Sequence, residues 1–173
     1  MVERPACGPC VRGARRQVVH LTRLALLLLF LVVPAGAIPG VANADRTLTI
    51  RLKSVTVSSA VDDHPPNGPS KGDVYHGRFR LLNVVTQFGR KAGVAVGTER
   101  SSLTLTSPST ALVSGVVDLP GGTIAYRDAG RIGSSAPIRV VNGTGAFAGA
   151  TGTLRVGGGT SPINTYTLTL PSR

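Results

Sequence analysis

The sequence predicts an all-β fold: an eight-stranded antiparallel up-and-down β-barrel that follows a cleavable signal peptide. No segment of residues 45–173 repeats its apolar side chains every 3.6 residues, as an amphipathic helix would. Short runs rich in Val, Leu, Ile and Thr instead alternate with clusters of Gly, Pro, Ser and Asn, a pattern typical of sandwiches and barrels. We distinguish eight runs, an even number that can close into a barrel through short turns. A sandwich with the same strand count is the alternative.

Residues 1–44 have the organisation of a secretion signal, which makes residues 45–173 the mature domain. An arginine-rich start leads to the apolar run Leu24–Val33, which is too short to span a bilayer, because a transmembrane helix needs roughly 20 residues. Pro34 and Gly36 interrupt the run, and Ala42-Asn43-Ala44 offers the small side chains that a signal peptidase accepts. We expect cleavage after Ala44 and a secreted protein, extracellular or in the cell envelope, with no stable membrane anchor. Retention of the leader as an anchor is the alternative.

Two motifs lie inside the leader. The pair Arg15-Arg16 leaves the export route open between a Sec-type and a twin-arginine signal. Cys7-Gly8-Pro9-Cys10 spells a thioredoxin-type pair, but such a pair functions at the N-terminus of a helix that follows a strand, and no strand precedes it here. We therefore expect no redox role, and the mature domain has no cysteine left for a disulfide.

Composition argues against a nucleic-acid partner. The full chain has 19 Lys and Arg against 8 Asp and Glu, a net charge of +11. Five of the basic residues and one of the acidic residues lie in the leader, so the mature domain has 14 against 7, a net charge of +7. These charges are scattered along the chain, and the mature domain has six aromatic residues and no Trp, which leaves little for stacking on bases.

The eight runs define the strands in order. In the first, Leu48, Ile50 and Leu52 alternate with polar residues, and the apolar phase then changes, which predicts a β-bulge near Lys53-Ser54. The proline-rich segment Asp62–Lys71 is predicted to be a loop. The runs are Arg46–Ser58, Asp73–Val85, Gly93–Thr106, Ala111–Leu119, Thr123–Asp128, Pro137–Val141, Thr151–Val156 and Ile163–Leu170.

The segment Arg139–Leu154 (RVVNGTGAFAGATGTL) resembles the signature of dirigent proteins and of the related allene oxide cyclase barrel. In that superfamily a strand ends in a Gly-Thr-Gly turn, here Gly143-Thr144-Gly145, and an aromatic residue follows, here Phe147, before the chain re-enters the sheet. Gly72-Asp73 and the segment 93–97 also match, so the resemblance extends over residues 46–170. Plant dirigent proteins usually carry a glycine and an arginine where this chain has Asn142 and Thr151, which makes the resemblance a distant one.

The resemblance implies an eight-stranded barrel with an apolar cavity for small hydrophobic compounds. Some members of the superfamily guide the coupling or cyclisation of a reactive intermediate without a metal or redox cofactor. No cofactor is therefore expected here, and a homo-oligomer is left open, because dirigent relatives are often oligomeric.

The fifth run offers the best pair of chemically active residues. Tyr126 and Asp128 share one face of that strand with Ile124. The resemblance places an acidic residue of the cavity near the end of this strand, and Asp128 roughly matches it. We predict Asp128 and Tyr126 as catalytic residues, with an acid or base role for the carboxyl group. The alternative is that Asp128 only begins a turn over residues 128–130.

Five further residues are predicted to bind the ligand: Tyr75, Arg78, Glu99, Arg139 and Phe147. Glu99 is the only glutamate of the mature domain, and an ion pair with Arg100 or a cross-strand arginine is the simpler explanation for it. His64 and His76 lack a third ligand at suitable spacing, so we expect no metal site. No Ser/His/Asp set that would indicate a hydrolase is evident.

Two functional hypotheses follow. In the first, the protein is a secreted barrel that binds a small hydrophobic compound and steers its cyclisation or coupling, as a cofactor-independent cyclase or isomerase or as a dirigent-type stereocontrol protein. In the second, it is a non-catalytic exported carrier or a surface interaction module. The fold alone does not choose between the two.

Overall fold

The computed structural model describes residues 44–160 and 162–172, and these form a closed barrel of eight antiparallel strands in sequence order. The predicted signal peptide and the Cys7–Cys10 motif lie outside the described residues, apart from Ala44. None of the helices within the described residues is long and apolar enough to cross a membrane.

All eight predicted strands are present, and the predicted barrel is confirmed. Antiparallel pairing of β1 with β8, from Arg46–Leu170 to Lys53–Ile163, closes the sheet on itself, so the sandwich alternative is wrong. One turn of 3-10 helix, Gly145–Phe147, follows β6. The strands are β1 Arg46–Asp62, β2 Val74–Asn83, β3 Ala95–Ser107, β4 Thr110–Leu119, β5 Gly122–Arg131, β6 Ile138–Gly143, β7 Thr151–Arg155 and β8 Ile163–Leu170.

The bulge of β1 lies further along the chain than the sequence suggested. The register between β1 and β2 shifts between Thr56 and Ser58, not near Lys53-Ser54. Ser54 keeps the inward phase of Ile50 and Leu52 and is buried. The apolar alternation is lost at Ser54 because a polar side chain occupies an inward position, while the backbone continues without a bulge.

Apolar side chains fill one end of the barrel. This is the end at which β1, β3, β5 and β7 begin and their neighbours finish. Phe147, on the 3-10 helix, is buried in the same cluster. Each such side chain contributes roughly 1.5–3 kcal/mol of transfer free energy. The fully buried aliphatic members are Ile50, Leu52, Leu81, Val117, Ile124, Leu154 and Leu168.

At the opposite end a buried aspartate holds the loop between β1 and β2. The Oδ1 atom of Asp73 accepts a hydrogen bond from the backbone N–H of His64 at 2.8 Å, and its Oδ2 atom accepts one from the N–H of Ser70 at 2.7 Å. These two bonds lower the pKa of the Asp73 carboxyl, because they stabilise its charged form. The proline-rich segment is therefore an ordered loop that a single carboxylate closes.

Candidate active site inside the barrel

The lumen contains a cavity of about 420 Å³ that opens at the end where β5 and β6 are connected. Its walls are apolar and include Phe79 on β2, Leu103 on β3 and Val113 on β4. The connection between β5 and β6 forms part of its rim. The polar side chains that line it deeper inside are Ser54, Glu99, Tyr126 and Asn164.

Glu99 is a buried carboxyl group at the floor of this cavity. On β3 it lies opposite Phe79 of β2 and Val117 of β4, and only 4% of it is exposed. Burial raises the pKa of the Glu99 carboxyl above its ordinary value of 4.5, and the hydrogen bond from Tyr126, followed by the nearby side chain of Asn164, opposes part of that rise. The expected ion pair with Arg100 is wrong, because Arg100 is on the other face of β3 and approaches Asp118 at 3.6 Å.

Tyr126 reaches Glu99 from β5, two strands away. Its hydroxyl donates a hydrogen bond to Glu99 Oε1. The strand between them carries Gly115, where a Cβ atom would lie 2.3 Å from the Tyr126 hydroxyl oxygen. A glycine is thus needed for the ring to cross β4. Burial, together with the neighbouring Glu99, raises the pKa of the Tyr126 phenol, which keeps it a neutral donor.

A second polar group lies beside Glu99. The Nδ2 atom of Asn164 on β8 donates a hydrogen bond to Ser54 Oγ of β1 at 2.9 Å. Burial, and then the charge of Glu99, raises the pKa of Tyr166, which is fully buried. Among the described residues, four buried side-chain atoms lack a hydrogen-bond partner, and three of them belong to this group: Glu99 Oε2, Asn164 Oδ1 and the Tyr166 hydroxyl.

Such atoms matter because a buried polar atom without a partner costs about 1–3 kcal/mol. Glu99 and Asn164 also line the cavity, where a hydroxyl group of a ligand can supply a hydrogen bond, whereas Tyr166 does not line it. The sequence prediction missed Ser54, Asn164, Tyr166 and Gly115. The signal was present, since Asn164 and Tyr166 are in phase with the inward Leu168 and Leu170.

Asp128 lies at the rim of the cavity, half-buried, and not at the floor. Both of its carboxylate oxygens accept backbone hydrogen bonds, Oδ1 from Ala129 at 2.9 Å and Oδ2 from Arg139 at 3.0 Å. The alternative of a turn over residues 128–130 is wrong, because β5 continues to Arg131 and pairs with β4 throughout. Asp128 therefore ties β5 to the start of β6 beside the cavity mouth.

Four of the residues predicted to bind the ligand do not line the cavity. Arg78 and Arg139 are exposed on the outer face, because each is out of phase with an inward neighbour, Phe79 and Val140. Phe147 is in the filled end of the barrel. Tyr75 is half-buried on β2, beyond the lining residues. Of the five, the structure brings only Glu99 to the cavity, where it meets Tyr126.

The chain forms a closed eight-stranded meander around an apolar-walled lumen, which is the architecture that the sequence resemblance implied. No protein-family model and no curated protein matches the sequence. Among solved structures, the chain is similar to a pterocarpan synthase dirigent protein, with a TM-score of 0.55 and 14% identity over 83% of this chain and 99% of that one.

Two further structures have the same fold. A pyocyanin demethylase matches with a TM-score of 0.58 and 21% identity, over 70% of this chain and 99% of that chain. The Diels–Alderase AbmU from Streptomyces koyangensis matches with a TM-score of 0.58 and 14% identity, over 74% of this chain and 69% of that chain. At these identities the likeness establishes the fold and leaves the activity to be argued from the site.

Proposed function

We propose that the barrel binds one small, mainly apolar compound with an oxygen-bearing end, and that it steers a cyclisation of that compound with Glu99 as general acid and base. The observation that carries this proposal is the buried Glu99 carboxyl at the floor of an apolar-walled cavity, with one oxygen bonded to Tyr126 and the other without a hydrogen-bond partner.

The size and polarity of the cavity suggest the ligand class. Ligand sites usually have volumes of about 300–1,000 Å³, and 420 Å³ is at the small end of that range. The apolar walls, among them Phe79 and Leu103, favour a hydrophobic body. The unpartnered Oδ1 atom of Asn164, a residue that lines the cavity, favours a hydroxyl group at the inner end of the ligand.

The raised pKa of Glu99 extends to higher pH the range in which this carboxyl keeps a proton that it can donate. A neutral Glu99 can donate its proton to a carbonyl oxygen of the ligand while a hydroxyl group of the same molecule adds to the carbonyl carbon. The new C–O bond replaces the C=O π bond, and the carboxylate then takes up the proton that the attacking hydroxyl group loses. Tyr126 stabilises that carboxylate by its hydrogen bond. Such a cyclisation is an isomerisation, because the product has the same atoms and electrons as the substrate. Glu99 ends each cycle in its starting protonation state. In support, solved structures of this fold include a cyclase that catalyses a [4 + 2] cycloaddition.

Export is part of the proposal. The described barrel begins with β1 at Arg46, two residues beyond Ala44, so cleavage at that site would remove no strand. We expect the protein in the culture medium or cell envelope to begin at Asp45, as intact-mass measurement would reveal. A mass that retains the leader would contradict the proposed cleavage.

The experiment that tests the function begins with native mass spectrometry of protein purified from its own host, which would identify a co-purifying hydrophobic compound. The compound or its precursor is then incubated with the wild type and with Glu99→Gln, using Asp63→Asn on the exposed loop as a matched control. Conversion by the wild type and the control, with binding but no conversion by Glu99→Gln, supports the proposal. If all three proteins bind the compound and none converts it, the barrel is a carrier.

A further inference from the structure

The outer face of the barrel has a second concavity, a groove of about 530 Å³ over strands β2 to β5. We call it the arginine groove. Its floor consists of small residues, including Ser114, Gly115 and Ala125. Its walls carry guanidinium groups from three strands: Arg78 on β2, Arg100 on β3 and Arg127 on β5.

The positive charge of this groove is poorly compensated. Arg78 and Arg100 are directly opposite each other in the pairing of β2 with β3, an unfavourable arrangement for like charges. Within the part of the chain that the structure describes, the only carboxylate in ion-pair range of the three arginines is Asp118, 3.6 Å from Arg100. Arg78 and Arg127 have none and are exposed. A pair of like charges across two strands lowers stability, and proteins keep such unfavourable arrangements mainly at functional sites.

One end of the groove is fixed by His76. Its Nδ1 atom lies 3.2 Å from Ser102 Oγ, and its Nε2 atom lies 3.1 Å from Asp62 Oδ2. The fold thus brings together a Ser/His/Asp set that the sequence did not reveal. Because Asp62 and Ser102 each contact one ring nitrogen, they fix the orientation of the imidazole, which forms part of the groove wall.

We propose that the arginine groove binds a small polyanion free in solution, a molecule with two or more phosphate, sulfate or carboxylate groups. Guanidinium groups match such groups with paired hydrogen bonds, and three of them around a floor of small side chains can hold more than one at a time. A membrane surface fits less well, because the cations line a concavity. The three arginines are on the opposite face of the strands from the lumen, although Tyr126 lines both the groove and the cavity.

The test is calorimetric titration of the purified protein with inorganic tripolyphosphate at low and moderate salt. We expect binding that weakens as salt rises. The variant Arg78→Gln/Arg127→Gln should lose affinity by about tenfold or more, because two charge-assisted contacts are removed. The matched control, Arg51→Gln/Arg155→Gln, removes the same net charge from exposed positions outside the groove and should change the affinity by less than about twofold.

Circular dichroism melting curves establish that both variants are folded before affinities are compared. Equal losses of affinity in the two variants would overturn the proposal, because binding would then follow overall charge. Absence of tripolyphosphate binding would also overturn it. Sedimentation with vesicles of phosphatidylglycerol and phosphatidylcholine forms the second arm, and binding to vesicles alone would replace the soluble polyanion with a membrane surface.

Discussion

The hydroxyl of Tyr126 hydrogen-bonds the carboxyl of Glu99 across the whole width of β4, over a gap that Gly115 leaves open. The partner of this buried acid is therefore a neutral phenol, not a cation. A cation at this distance would lower the pKa of Glu99, whereas burial against apolar walls raises it. The pairing therefore keeps a carboxyl group with a raised pKa at the floor of the cavity.

The first prediction is a pH dependence of stability that belongs to Glu99. Because its pKa is raised in the folded state, the folded protein binds more protons than the unfolded chain above the ordinary pKa of 4.5. The free energy of unfolding should therefore fall as the pH rises through the window between 4.5 and the raised pKa. Glu99→Gln should remove that fall and should be more stable than the wild type above the window.

Urea unfolding followed by circular dichroism at a series of pH values checks this. Asp128→Asn is the control, since its carboxylate is at the rim of the cavity. A wild-type profile identical to that of Glu99→Gln would show that the carboxyl is not desolvated.

The second prediction concerns Gly115. A methyl group there would meet the Tyr126 ring at 2.4 Å and the backbone oxygen of Arg100 at 2.9 Å, so the ring must leave its place beside Glu99. We expect Gly115→Ala to lower the free energy of unfolding by about 1–3 kcal/mol, the usual cost of overpacking. Gly130→Ala is the matched control, because a Cβ atom at Gly130 has no neighbour within 4 Å. Equal stabilities of the two variants in urea would mean that the ring does not lie over Gly115.

The third prediction is that Asp73 holds the loop that precedes β2. Asp73→Asn replaces one accepting oxygen with a donor that faces backbone N–H groups, so the amides of His64 and Ser70 should exchange hydrogen faster. The lowered pKa of Asp73 adds stability that is present above 3.8 and is lost as the pH falls through the lowered value. Hydrogen-exchange mass spectrometry of the loop, with Asp63→Asn as control, measures the effect. Unchanged exchange would remove Asp73 from this role.

The sequence predicted the strands far better than it predicted the site. The prediction that Arg78 binds the ligand went against the alternation of β2, where Phe79 and Leu81 mark the inward phase. Glu99 was predicted at the cavity, and it is in phase with Leu103 and Leu105 of β3. Spacing along the chain could not show that Tyr126 meets Glu99, because that contact depends on the registers of two strand pairs. The partnership of Ser54 with Asn164 depends likewise on the closure of β1 against β8.

The fourth prediction tests the lumen as the binding site through its volume. Val113 is half-buried and lines the cavity from β4, so Val113→Phe adds a ring where the apolar body of a ligand would lie. We expect the affinity for the uncharged fluorescent probe N-phenyl-1-naphthylamine to fall by about tenfold or more, since the loss of apolar contact area weakens binding directly. The adjacent Leu112→Phe, whose side chain alternates to the outer face, is the matched control and should bind the probe as the wild type does. Because the probe has no charge, the arginine groove should not compete for it. Wild-type affinity in Val113→Phe would show that the probe binds elsewhere, and the proposed function would then lose its site.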